Sequence, residues 1–137
     1  MDQDSSHKQE RYPDPVETAL DVIGGKWKPL IIWNLKDRTL RYTELQKSIP
    51  KVSPRMLTKQ LRELEDENVI TRKVYPEVPP RVEYTVTELG LATIPILEAL
   101  YIWGADYLVM RGYKVPMKKG MRNIQREETC SDGQEER

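Results

Sequence analysis

A chain of 137 residues, 38% hydrophobic and 32% charged, has room for one domain around one substantial core. Its 22 basic and 22 acidic side chains cancel, which excludes the strongly basic overall balance common among nucleic-acid-binding domains. No unbroken apolar run approaches the roughly 18 residues of a membrane span, residues 1–11 are polar and lack the apolar core of a secretion signal, and the single cysteine, Cys130, excludes an internal disulfide framework. A reducing, cytoplasmic location is therefore expected.

Residues 1–13 read as a mobile polar arm and 115–137 as a disordered polar tail, leaving 14–114 as the compact part. A short helix is expected over 16–23, with Pro15 in its first turn and Gly24-Gly25 breaking it. A second helix follows over 26–35, with Trp27, Leu30, Ile31 and Leu35 at helical spacing. Thr43 is placed to cap a third helix over 44–48, with Gln46 in the capping-box position and Pro50 beyond its end.

Ser53-Pro54 then makes a strong helix start, an N-cap serine followed by proline at the first helical position. Leu57, Leu61 and Leu64 form one stripe of this helix, and Arg55, Lys59 and Arg62 gather on the opposite side. Asn68 suits the left-handed position past its end. Two strand signals follow, 69–75 and the alternation of Val82, Tyr84 and Val86, joined by the proline-rich segment 76–80. Thr87 is placed to cap a long apolar helix over 88–110, kinked at Pro95.

Two short helices around a tight turn, followed by a hairpin, make the order of a winged helix-turn-helix. The expected fold class is thus α+β, mainly helical. A helix fits the major groove of B-DNA, and its exposed N-terminal turns reach base edges. Every charge between Lys47 and Arg62 is positive (Lys47, Lys51, Arg55, Lys59, Arg62), so a neutral chain presents a locally basic surface. In this reading Ser53 and Pro54 set the helix entry, Arg55, Thr58 and Lys59 approach bases or phosphates, and Arg62 holds backbone. Arg41, Lys73 and Arg81 are expected on the flanking backbone, the last two anchoring a wing over the minor groove. A basic helix face alone is more often merely solvated; the hairpin after it is what favours DNA. A protein-docking winged helix that has lost DNA binding is the competing reading, and no nucleophile–base or metal constellation suggests an enzyme.

Residues 21–104 strongly resemble the HxlR-type family of bacterial and archaeal winged-helix transcription regulators. The resemblance rests on Gly24-Gly25-Lys26-Trp27-Lys28, Ser53-Pro54-Arg55-Met56-Leu57-Thr58, Val78-Pro79-Pro80-Arg81-Val82-Glu83-Tyr84, Thr87-Glu88-Leu89-Gly90, Leu97-Glu98-Ala99-Leu100 and Trp103-Gly104. It implies a homodimer on a double-stranded operator, with a recognition helix at 54–67, a wing at 74–82 and dimerisation helices from both chain ends. Val16 and Leu20 are then the interface residues of the first helix, and Leu97, Leu100, Tyr101, Trp103, Tyr107 and Leu108 those of the last. The last helix also carries more apolar surface than a small three-helix core covers, which supports an interface, the alternative being that it folds back on its own domain. Many family members have a cysteine just before the Pro-Val-Glu segment, which in some senses oxidants; here that residue is Asp14, which excludes thiol chemistry at that position.

The remaining features read as structural or incidental. Trp27, Trp33 and Trp103 are expected in core or interface rather than around a ligand, although a small-molecule effector is compatible with the family. His7 and Cys130 lie in the polar ends without partners that would activate them. No metal or cofactor is implied: there is no His/Cys cluster, and Gly24-Gly25 lacks the spacing of a dinucleotide-binding fingerprint. The acidic group Glu63, Glu65, Asp66 and Glu67 reads as a solubilising cluster that opposes the helix dipole unless neighbouring cations compensate.

Overall fold

In the computed structural model, which describes residues 11–116, the first helix, α1 (Pro15–Ile23), starts at Asp14. The Asp14 carboxylate accepts the Glu17 backbone N–H at 3.0 Å and so caps the helix. Residues 1–10 with His7, and 117–137 with Cys130, lie outside the described residues. The chain divides between Leu97 and Glu98 into two compact units.

In the first unit, α2 (Lys28–Leu35) begins two residues later than its periodicity suggests, because residues 25–27 form a turn. A two-residue strand, β1 (Leu40–Arg41), leads directly into α3 (Tyr42–Ser48). Thr43 is therefore not the cap. Arg41 is, and its backbone N–H donates to Glu44 Oε1 at 2.9 Å, shifting the capping box two residues towards the N-terminus. α4 (Pro54–Asp66) ends in a Schellman arrangement: Asn68 adopts φ 61°, its N–H reaches the Glu65 carbonyl, and the Val69 N–H reaches that of Leu64.

β2 (Ile70–Tyr75) and β3 (Arg81–Val86) form the hairpin, and β1 adds to it in the order β1-β3-β2, all neighbours antiparallel. Strand periodicity separates the hairpin's two faces. Ile70, Arg72, Tyr84 and Val86 share the face that contributes to the core, whereas Lys73, Glu83 and Arg41 form a cross-strand row on the other. The core joins Ile31, Ile32 and Leu35 of α2, Leu45 of α3, Leu57, Leu61 and Leu64 of α4, and Leu40, Ile70 and Tyr84 of the sheet. Each fully buried aliphatic side chain contributes about 1.5–3 kcal/mol. Trp27 and Trp33 pack against this core half-buried, as expected of structural aromatics.

The long C-terminal helix is two helices. α5 (Glu88–Leu91) is capped by Thr87, whose hydroxyl accepts the Gly90 N–H, and α6 (Ile94–Met110) restarts after residues 92–93. Pro95 sits in the first turn of α6, where it breaks no hydrogen bond, rather than at a mid-helix kink. The 23 residues Glu88–Met110 are long and apolar enough to cross a membrane by length and composition, although no unbroken apolar run in them approaches a span. Core and interface helices of water-soluble proteins meet the same criterion, and this stretch carries Glu98 and Asp106 in its midst. Within the second unit, Trp103 and Tyr107 stack at 5.4 Å, and the Tyr101 hydroxyl donates to the Pro116 carbonyl at 3.3 Å.

Candidate nucleic-acid interface

α4 is the centre of the basic surface, and its two faces follow from local rules. Ser53 Oγ accepts the Met56 N–H at 3.1 Å, and Pro54 occupies the first turn, where no intrahelical donor is required. Leu57, Leu61 and Leu64 are 0–2% exposed, which orients the helix. Arg55, Lys59 and Arg62 are consequently exposed on the outward face beside Ser53 and Pro54. Residues 54, 55, 58, 59, 62 and 63 line a shallow open concavity along this side.

Thr58 is half-buried and held in place. Its hydroxyl donates to the Pro54 carbonyl at 2.9 Å and lies 3.2 Å from the hydroxyl of Tyr42, which itself donates to the same carbonyl at 3.0 Å. Tyr42, at the start of α3, thus ties the two helices together at the first turn of α4. Sequence reasoning passed over it, because nothing in its neighbours reveals a bond to residues 12 and 16 positions away.

The wing differs from its expected form. Arg81 is not a free anchor: its guanidinium lies 3.4 Å from Glu77, 3.6 Å from Glu83 and 4.0 Å from the centre of the Tyr75 ring, with Nε buried and lacking a hydrogen bond. These contacts brace the hairpin and set two carboxylates beside the Arg81 charge. Lys73 is exposed, with Nζ 4.8 Å above the same ring, and Arg41 is exposed at the end of the Lys73–Glu83–Arg41 row.

The acidic group at the end of α4 is only partly a solubilising cluster. Glu63 pairs with Lys28 at 2.8 Å, and Glu65 lies 3.5 Å from Arg72. The Lys28 hydrogen bond and charge hold the Glu63 carboxyl below its ordinary pKa, against a smaller opposing effect of burial. Burial in turn raises the pKa of the Tyr84 hydroxyl, keeping it a neutral donor. Asp66 and Glu67 remain exposed.

Among the residues expected at a dimer interface, Leu97 is misassigned. It is 5% exposed within the core of the first unit and has almost no surface to offer a partner. Val16, Leu20, Leu100, Trp103, Tyr107 and Leu108 are exposed apolar side chains, and Tyr101 is half-buried.

Residues 22–111 match the model of the HxlR-like helix-turn-helix family. The chain is 55% identical over 98 residues to an uncharacterised HTH-type transcriptional regulator of Methanothermobacter thermautotrophicus, covering 72% of this chain and 75% of that one. It is 50% identical over 93 residues to the HTH-type regulator YdeP of Bacillus subtilis, covering 68% and 73%. Among solved structures, the redox regulator HypR in its reduced form superposes with a TM-score of 0.67 at 44% identity, covering 73% of this chain and all of that one (100%). The chain belongs to the HxlR-like helix-turn-helix family of DNA-binding transcription regulators, and its fold is a winged helix-turn-helix.

Proposed function

We propose that the protein binds a double-stranded operator as a homodimer, with one α4 in each of two successive major grooves and each wing beside the adjoining minor groove. The observation that carries this reading is the division of α4, whose leucine face is sealed in the core while Arg55, Lys59 and Arg62 stand exposed next to a capped N-terminus. Arg55 and Lys59 approach base edges or phosphates, and Ser53 and Pro54 fix the entry angle. Thr58 acts through its bonds to Tyr42 and Pro54 and shapes the helix start. Arg62, Arg41 and Lys73 hold backbone, while Arg81 stiffens the wing. Regulation proceeds by binding rather than catalysis, in the cytoplasm where the DNA is.

The exposed apolar residues Val16 and Leu20 on α1, and Leu100, Trp103, Tyr107 and Leu108 on α6, support association of two copies. With Asp14 capping α1, any signal reaches this protein by another route than a thiol at that position, such as a small-molecule effector. The test is a duplex titration with Arg55→Ala and Lys59→Ala. Both variants are expected to melt like the parent and bind at least tenfold more weakly, with affinity falling steeply as salt rises. Unchanged affinity in both would remove α4 from the DNA.

A further inference from the structure

A small polar cleft lies between α4 and the hairpin, lined by Thr58, Leu61, Arg62, Glu65, Arg72 and Tyr84. Arg72 and Tyr84 are paired across β2 and β3, so both side chains emerge on the hairpin face directed at the core and α4. Arg72 Nε is 3.5 Å from Glu65 Oε2, which holds the guanidinium at the cleft. Among the described residues this carboxylate is the one ionic partner of Arg72, and Arg62 has none. The Thr58 hydroxyl is already committed to Pro54 and Tyr42, so the polar lining that remains for a ligand is the two guanidinium groups and the Tyr84 hydroxyl.

The volume, about 140 Å³, equals that of roughly four to five water molecules in the liquid, comparable to the five heavy atoms of a phosphate group. Two cations and one carboxylate leave a net charge near +1, which suits a singly charged phosphodiester better than a phosphate dianion. Geometry points the same way. One sugar-phosphate strand separates any major groove from the adjoining minor groove, so a helix in the first and a wing at the second must straddle that strand. The cleft lies between those two elements.

We propose that this cleft seats a DNA phosphodiester, bound by Arg62 and Arg72, with Glu65 as the positioning residue for Arg72. The assignment rests on the proposed docking of α4 and the wing, and it adds Arg72, an exposed residue on the core-side face of the hairpin, to the DNA-binding set.

The full-length chain is first used to select a binding duplex from a random pool, and each phosphate of that duplex is then replaced in turn by an uncharged methylphosphonate. One position per half-site is expected to weaken parental binding about ten- to a hundredfold, the range of one hydrogen bond to a charged group. Arg72→Ala should lose a similar factor on unmodified DNA, become indifferent to substitution at that position, and lower the salt slope by about 0.9 per half-site. Arg72→Lys should recover part of the affinity, and it replaces Arg72→Ala if that variant melts early. Glu65→Gln should weaken binding; a Glu65 that merely repelled DNA would make the same variant bind more tightly.

An Arg72→Ala protein with parental affinity, salt slope and methylphosphonate profile overturns the proposal while leaving DNA binding intact. Selection of no duplex by the parental chain overturns the docking itself. Inorganic phosphate at matched ionic strength is expected not to compete with the duplex. Competition abolished by Arg72→Ala would reassign the cleft to free phosphate and overturn the DNA assignment.

Discussion

Lys28 Nζ lies 2.8 Å from Glu63 Oε2 and 3.4 Å from the Asp21 carbonyl, so one buried ammonium connects the end of α1, the start of α2 and the third turn of α4. A buried lysine is costly unless paired, and Glu63 supplies the pair. The contact also answers the electrostatic conflict at the acidic end of α4: Lys28 and Arg72 offset Glu63 and Glu65, which would otherwise oppose the helix dipole.

This pair predicts a pH dependence. The folded-state pKa of Glu63 is lowered, so its stabilisation is fully present above the unfolded carboxyl value of about 4.3 and is lost as pH falls through the folded value. Glu63→Gln is expected to melt earlier than the parent at pH 7, with the gap closing on acidification below about pH 4. A gap that stays constant from pH 7 to pH 3 would assign the loss to packing instead.

Gly90 predicts a large effect from one methyl group. A Cβ there would stand 2.4 Å from the Val69 carbonyl oxygen and 2.4 Å from Val86 Cγ2. The carbonyl is engaged by the Thr87 N–H and hydroxyl and cannot readily retreat. Gly90→Ala should destabilise by about 1–3 kcal/mol in urea titration. A loss under half a kcal/mol would mean that α5 shifts freely against the hairpin.

Tyr42→Phe isolates the bridge between α3 and the first turn of α4. Losing the hydroxyl should cost about 1 kcal/mol of stability and weaken DNA binding by a modest factor, since the start of α4 loses a restraint. Equal stability and affinity in the variant would show that Ser53 and Pro54 suffice to hold the helix entry.

Association through α6 is tested by charge. Trp103 is 66% exposed and Leu100 57%, so Leu100→Glu and Trp103→Glu should fold normally while shifting sedimentation from dimer to monomer. Duplex affinity should fall with them, because one subunit then binds without the other. A parent that sediments as a monomer at all concentrations would overturn the homodimer.

Much of α4 was legible in the chain itself. Its serine-proline start, its leucine and basic faces, and the left-handed Asn68 past its end all depend on residues within one or two turns of each other. Capping, helical periodicity and turn chemistry act at that range, and the same holds for the proline-rich hairpin and the break at Gly24-Gly25. What the chain could not display is contact between residues distant in sequence. β1 is two residues long and exists because β3 offers it an edge. The last residue of β1, Arg41, is the cap that displaced Thr43. Arg81 looked like a free cation until folding placed Glu77, Glu83 and Tyr75 around it, and Leu97 looked like interface until it turned into the core. Local rules determine where α4 begins and which face it buries. Only tertiary packing decides which of its charges remain unpaired at the surface, because pairing depends on what the fold brings within a few ångströms.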